Sequence, residues 1–168
     1  MIQTDIFPIP VDAPGMLAIV SRPRGGDRLT DDLERLALAG VDILVSLLAI
    51  DEHVDLGLEN EPGLCALQGL RYASVPVPDL GLPPDTDRFL DAVRDIVSEL
   101  RAGQNVAVHC RQSFGRSGLF AVSVGVALGA TLERALRDVS EARGVPVPET
   151  KAQLDWLQEH ETRLSAIA

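Results

Sequence analysis

Short apolar runs alternate with longer amphipathic stretches along the chain, and this alternation predicts its elements. Residues 2–9 and 16–21 predict two short strands, parted by the turn Asp12-Ala13-Pro14-Gly15. Thr30-Asp31-Asp32-Leu33-Glu34 has the composition of a capped helix start, and Gly40 that of its stop. The mostly apolar run 41–48 predicts a buried central strand. Residues 51–69 predict one or two short helices broken near Pro62-Gly63, and 71–77 a further strand. Over 84–101, Phe89, Val93, Ile96, Val97 and Leu100 fall on one helical face, and the helix stops at Gly103. A strand over 105–109 follows. Helices are then predicted over 116–128, 131–143 and 149–165, with Gly129 and Gly144 as stops. Strands interleaved with crossover helices predict a three-layer α/β fold, a mixed and mostly parallel sheet flanked by helices. A single domain is expected over residues 1–168.

Composition narrows the class of partner. The net charge of −10 makes nucleic acid and anionic membranes poor partners for the surface as a whole. Two cysteines are too few for a disulfide scaffold. The first residues have no basic region and no apolar signal core, and no run is long and apolar enough to span a bilayer. A cytoplasmic location is expected. The three histidines are scattered and neither cysteine belongs to a ligand-spaced set, so no metal and no cofactor are expected.

The candidate chemistry lies at residues 105–118. The apolar run Val106-Ala107-Val108 ends at His109-Cys110, a polar loop follows, and Arg116-Ser117-Gly118 opens the next apolar run. Strand, tight loop and helix start is the simplest reading. Backbone N–H groups of Arg111, Gln112, Ser113, Phe114, Gly115 and Arg116 would converge there, on the positive end of a helix dipole, as a nest for a tetrahedral oxyanion. A thiolate is the nucleophilic form of cysteine, and a helix N-terminus with a nearby guanidinium favours it. The fork of Arg116 can grip two phosphate oxygens, which lysine cannot. The spacing alone is weak. With 14 arginines in 168 residues, an arginine falls at that offset from a given cysteine about one time in twelve. Cys65-Ala66-Leu67-Gln68-Gly69-Leu70-Arg71 repeats it without a preceding strand or a following helix, and Cys65 reads as a small buried apolar residue.

His109-Cys110, five residues, then Arg116-Ser117-Gly118 resembles the signature of the cysteine-dependent protein tyrosine phosphatase superfamily, and the short chain its dual-specificity-like branch. The resemblance covers most of the chain from Val41 onward. It implies the phosphatase fold, with Cys110 as the nucleophile that becomes a phosphocysteine and Arg116 as the phosphate grip. It further implies that Ser117 helps the thiolate leave when water attacks and that His109 supports the cysteine from behind. Gln112 and Ser113 stand where the family often has Ala and Gly. The expected substrate is a phosphorylated protein or a small phosphate monoester.

Such hydrolysis needs an acid for the departing oxygen and a base for the attacking water. Asp79, in Val75-Pro76-Val77-Pro78-Asp79, sits in a proline-stiffened loop after a strand, far enough before Cys110 for a crossover helix to intervene. The family's acid is an aspartate in a similarly placed loop. Asp85 and Asp87 are rivals that read better as first-turn helix residues. Glu149-Thr150-Lys151-Ala152-Gln153 resembles a stretch common in dual-specificity phosphatases; it reads mainly as a capped helix start, with Gln153 a candidate for placing water. His53 and His160 read as solvated, and Trp156, Leu157 and Leu164 as a core-facing stripe. Low-molecular-weight tyrosine phosphatases carry their nucleophile near the N-terminus with the aspartate after it, the reverse of the order here. Rhodanese-like domains need neither Asp79 nor Arg116. A phosphopeptide-binding pseudophosphatase would have lost one of the three groups. A phosphoinositide phosphatase of the same chemistry stays open, with Arg111 beside the nucleophile.

Overall fold

A computed structural model describes residues 4–167. Five strands, β1 (Ile6–Ile9), β2 (Leu17–Val20), β3 (Ile43–Ser46), β4 (Arg71–Ser74) and β5 (Val106–His109), form one sheet in the order β1-β2-β5-β3-β4. The β1–β2 pair is antiparallel and the rest of the sheet parallel. The helices are α1 (Leu29–Leu38), α2 (Ile50–Asp55), α3 (Glu61–Leu67), α4 (Thr86–Arg101), α5 (Gly115–Ala127), α6 (Leu132–Arg143) and α7 (Lys151–Ser165).

The strand period of two divides the core into two layers. Leu17, Ile19, Ile43, Val45, Val106 and Val108 face one side, where α4, α5, α6 and α7 cover them. Val20, Leu44 and Ala107 face the other, under α1 and α3. The expected three-layer α/β arrangement is therefore observed. Every residue of α5 is buried, which explains why it is apolar all round rather than on one face. The face predicted for α4 is the one it buries, with Phe89 edge-on to Phe120 and to Trp156. A Cβ at Gly118 would lie 2.8 Å from Val147 Cβ, so glycine there lets the chain before α7 close onto α5.

Several boundaries differ from the sequence expectation. Residues 2 and 3 of the first predicted strand lie outside the described residues. Thr30 does not cap α1: a 3-10 turn over Gly26–Arg28 leads straight into Leu29. Asp32 is buried instead and binds Arg24 through its backbone N–H, Nε and Nη2. The break between α2 and α3 falls at 56–60. Pro62 sits in the first turn of α3, where its missing N–H has no helical partner to lose. Strand β4 ends at Ser74, although Val75 and Val77 still donate to Ser46 and Leu47 carbonyls.

Register decides where the site lies. Ser46 pairs with His109, so β3 and β5 end side by side. Their loops and the proline-rich loop after β4 leave the same carboxyl edge, where open α/β sheets place ligands.

Candidate active site

Strand β5 delivers His109 and Cys110, and α5 begins five residues after Cys110. The loop between them must turn sharply, and Ser113 adopts a positive φ of 59°. That conformation favours glycine, the residue common here in the resembling family. Ser113 holds it through its side chain: Oγ donates to the Val20 carbonyl at 2.7 Å. Its backbone N–H donates to Cys110 Sγ at 3.2 Å, a contact from which a thiolate gains more than a thiol.

Arg116 is buried to 2% exposure. Its Nη1 and Nη2 donate to Glu52 Oε2 and Oε1 at 2.6 and 2.9 Å, a bidentate pair. Nη1 also donates to the Val77 carbonyl at 2.8 Å and Nη2 to Asp79 Oδ1 at 3.2 Å. The guanidinium is thus fixed in plane before any substrate arrives. Burial alone would push the Glu52 carboxyl up, but the Arg116 bonds and the N–H of Ala49 hold it below the ordinary carboxylate range. Asp79 remains half-exposed, its side chain 53% accessible at the rim.

Asp79, Leu80, Cys110, Gln112, Gly115, Arg116 and Glu149 line one cavity of about 150 Å³. The nucleophile, grip and acid expected from the sequence are therefore brought together. Arg111 is exposed at the loop's edge, 3.8 Å from Glu52 Oε1, and Phe114 is half-buried beneath. Ser117 Oγ is buried and has no hydrogen-bond partner among the described residues. Gln153 is buried rather than in the cavity wall. Its Oε1 accepts from the N–H groups of Glu149 and Thr150, completing a capping box, and its Nε2 donates to the Gly81 carbonyl. The amide thereby ties the start of α7 to the Asp79 loop.

Sequence reasoning missed three acids. Glu52 lies in a six-residue helix with no motif around it; the signal available was that a buried arginine needs a carboxylate near a strand end. Glu149 was read only as part of a cap, yet its carboxylate borders the cavity: a Cβ on Gly115 would lie 2.7 Å from Glu149 Oε2. Behind the loop, His109 Nε2 lies 2.6 Å from Glu61 Oε1, and both are fully buried. His53, expected in solvent, joins this network instead. Its Nε2 is 3.0 Å from the Tyr72 hydroxyl and 3.6 Å from Glu61 Oε2, while Nδ1 meets the Ala49 carbonyl. His160 is half-buried and stacks on Trp156. Cys65 is buried as expected. Desolvation, helped by the charge of Glu61, pushes its thiol up to about 12.

A family model described as "Polymorphic toxin system, DSP-PTPase phosphatase" matches residues 18–130, a span that holds Glu52, Asp79, Cys110 and Arg116. Among solved structures, kinase associated phosphatase with its catalytic-site cysteine substituted by serine is similar at a TM-score of 0.87 and 19% identity, covering 99% of this chain and 98% of that one. Tk-PTP in its active form is similar at 0.76 and 27% identity, covering 94% and 97%. PTPMT1 in complex with PI(5)P is similar at 0.71 and 18% identity, covering 88% and 92%. No curated protein matches the sequence. No helix of the described residues is long and apolar enough to cross a membrane.

Proposed function

The chain belongs to the "Polymorphic toxin system, DSP-PTPase phosphatase" family, and from that premise we propose that it hydrolyses phosphotyrosine in proteins through a phosphocysteine on Cys110. The same reading extends to phosphoserine and phosphothreonine as further substrates of the site. The observation that carries the reading is the shared cavity: Cys110, Arg116 and Asp79 line one space, with Gln112 and Gly115 of the loop beside them.

In the first step Cys110 Sγ attacks phosphorus as the P–O bond to the leaving group breaks. Loop N–H groups and the fork of Arg116 hold the equatorial oxygens, where charge lies in the transition state. An entering phosphate competes with Asp79 for Arg116 Nη2 and frees the carboxyl to give its proton to the departing oxygen. In the second step water attacks phosphorus and loses a proton to the Asp79 carboxylate. The S–P bond then breaks, and the Ser117 hydroxyl donates to the departing sulfur. Ser117 Oγ has no other protein partner to give up for this among the described residues. His109, held by Glu61, supports the loop from behind, and Gln153 keeps the Asp79 loop and the Glu149 segment in register. Gln153 itself does not line the cavity, so its part in this reading is to hold those two segments in place. A thiol nucleophile works in a reducing compartment, which supports a cytoplasmic site of action for this single catalytic domain.

Purified protein should release phosphate from a phosphotyrosine peptide, and a quenched reaction should yield Cys110 heavier by one phosphoryl group. A quenched, turning-over enzyme with unmodified Cys110 would sink the covalent route. The second reading, a phosphoinositide phosphatase, draws support from Arg111 beside the nucleophile and from the similarity to PTPMT1. Faster phosphate release from phosphoinositide vesicles than from any phosphopeptide would favour it.

A further inference from the structure

Outside the catalytic cavity, the end of β4 and one face of α4 line a groove of about 510 Å³. Strand β4 is the last of the sheet, and β3 is its one partner strand. Arg71 and Val75 donate their N–H groups to the Asp42 and Ser46 carbonyls on the β3 side. Backbone groups alternate in direction along a parallel ladder, so Ser74, which lines the groove, turns its N–H and C=O to the free edge. Val75, Phe89 and Ala92 make the apolar part of the wall, and Ile50 stands at the rim, 79% exposed.

The charge of the groove is one-sided. Asp85, the N-cap of α4, and Asp91 and Asp95 along the helix line it, against one cation, Arg88. The Arg88 side chain pairs with none of them, and Asp95 has no partner among the described residues. Asp91 meets Arg94 instead. Two carboxylates four residues apart on a helix repel each other, and a cation between them relieves the repulsion. Solvated acids are common on helices; these flank an apolar wall and an unpaired strand edge. The groove also adjoins the catalytic cavity. Pro76, Pro83 and Pro84 line the groove, while Asp79 and Leu80 of the same segment line the cavity. Ser74 precedes Asp79 by five residues (79 − 74), a span of at most about 17 Å when extended.

We infer that this groove binds a flanking segment of the phosphoprotein substrate: an extended stretch with an apolar and a basic residue, about five residues from the phosphotyrosine. The inference rests on the protein-phosphatase reading above. Main-chain bonds to Ser74 set the register of the segment, as when a peptide adds a strand to a sheet edge. Side chains two residues apart share one face of such a strand. An apolar one packs on Val75 and Phe89 beside Ile50, and a basic one meets Asp91 and Asp95.

The test uses phosphotyrosine peptides carrying Leu-x-Arg about five residues before or after the phosphotyrosine, with Ser-x-Gln controls. In the wild type one placement should raise kcat/KM about tenfold over its control, through KM, equivalent to about 1.4 kcal/mol. Asp95→Lys should abolish that gain and favour Leu-x-Glu instead, and Ile50→Ser should reduce it. A small aryl phosphate enters the cavity without reaching the groove, so wild type and both variants should hydrolyse it equally. No preference at either placement, or a preference unchanged in both variants, overturns the inference. A dimer that both variants dissociate, with no peptide preference, would assign the groove to a second copy of the chain and equally overturn it. If the wild type turns over neither ester, yet binds the Leu-x-Arg phosphopeptide more tightly than its control and Asp95→Lys does not, the groove stands and the phosphatase reading falls.

Discussion

Two cysteines in this chain are each followed, after five intervening residues, by an arginine, and both are buried. Cys110 follows a strand and precedes the N-terminus of α5; Cys65 lies in the last turns of α3, where the dipole and the free carbonyls oppose a negative charge. Cys110 Sγ receives the N–H of Ser113, whereas Cys65 shares its surroundings with the Glu61 carboxylate. Arg116 is buried and held from below by Glu52, with Val77 and Asp79 at its edges. Arg71 lies on the surface in a pair with Glu99. The same spacing therefore yields a cysteine that lines a cavity in one place and a core residue in the other. Helix direction and the arginine's partner make the difference.

The widest separation between the two is expected on replacing each sulfur. Cys110→Ser should lower turnover by on the order of 10⁴ or more, the scale on which removal of a nucleophile acts. Cys65→Ser should keep turnover within about twofold of wild type, because it touches no reacting group. Phosphate release by equal concentrations of folded protein measures both. The opposite pattern at unchanged stability would move the nucleophile to Cys65. Next in size is Asp79, which has no counterpart near Cys65. Asp79→Asn should cost roughly 10²–10⁴-fold on a phosphotyrosine peptide and little on an aryl phosphate with a strongly electron-withdrawing leaving group, which departs without a proton. Equal losses on both, with a lower Tm, would make Asp79 a turn residue instead.

The arginines should separate by less. Arg116→Lys keeps the charge but loses the fork that meets both Glu52 and phosphate, so kcat should fall roughly a hundredfold. Arg71→Lys should leave kcat unchanged and shift stability by about 1 kcal/mol or less, as an exposed ion pair does. Steady-state kinetics and thermal melts on the pair decide it; near wild-type kcat for Arg116→Lys would show that guanidinium geometry is not used.

What was legible in the sequence is local. The β5–loop–α5 junction announces itself through an apolar run, a polar loop and a second apolar run. The face of α4 follows from its period, and the α7 cap from Thr150 and Gln153. Asp79 could be proposed because prolines mark its loop. Glu52, Glu61 and Arg143 could not, since each meets its partner across dozens of residues: Glu52 with Arg116, Glu61 with His109, Arg143 with Ser113. A pairing of that range leaves no periodic trace in either segment. The misplaced start of α1 has a related cause, because Asp32 looked like part of a helix start while its carboxylate was committed to Arg24.

The carboxylates beneath the two arginines extend the contrast to stability. Glu52→Gln leaves Arg116 buried without a full counter-charge and should destabilise by about 3 kcal/mol or more. Glu99→Gln, beside exposed Arg71, should cost about 1 kcal/mol or less. Glu52 is held below the ordinary carboxylate range, so its contribution is complete above the unfolded-state value, near pH 4.3, and fades as pH falls through the lower folded value. Asp32 behaves likewise: burial opposes its ionisation, but the bonds from Arg24 outweigh it. Wild-type Tm should therefore drop steeply below about pH 4.3, and the Glu52→Gln curve should be shallower there. Parallel curves would show that the Glu52–Arg116 pair does not control acid stability.

The smallest effect expected is at Cys65, and it is the sharpest check on why the spacing fails there. A thiol pushed up to about 12 is almost wholly protonated at pH 8, and its side chain has no exposed surface. Thiolate, not thiol, reacts with iodoacetamide. Native protein at pH 8 should accordingly take up one carbamidomethyl group, on Cys110, and denatured protein two. Raising the pH to 10 should leave Cys65 unlabelled for as long as the fold holds. Glu61→Gln removes the charge that helps keep Cys65 protonated, but burial, the larger cause, remains. Labelling of Cys65 in that variant should rise only slightly, and only if the fold stays closed. Cys65→Ala, by the same reasoning, should cost about 1 kcal/mol of packing and no activity. Rapid native labelling of Cys65, located by peptide mass, would mean that α3 opens readily. The contrast between the two cysteines would then be one of dynamics as well as of electrostatics.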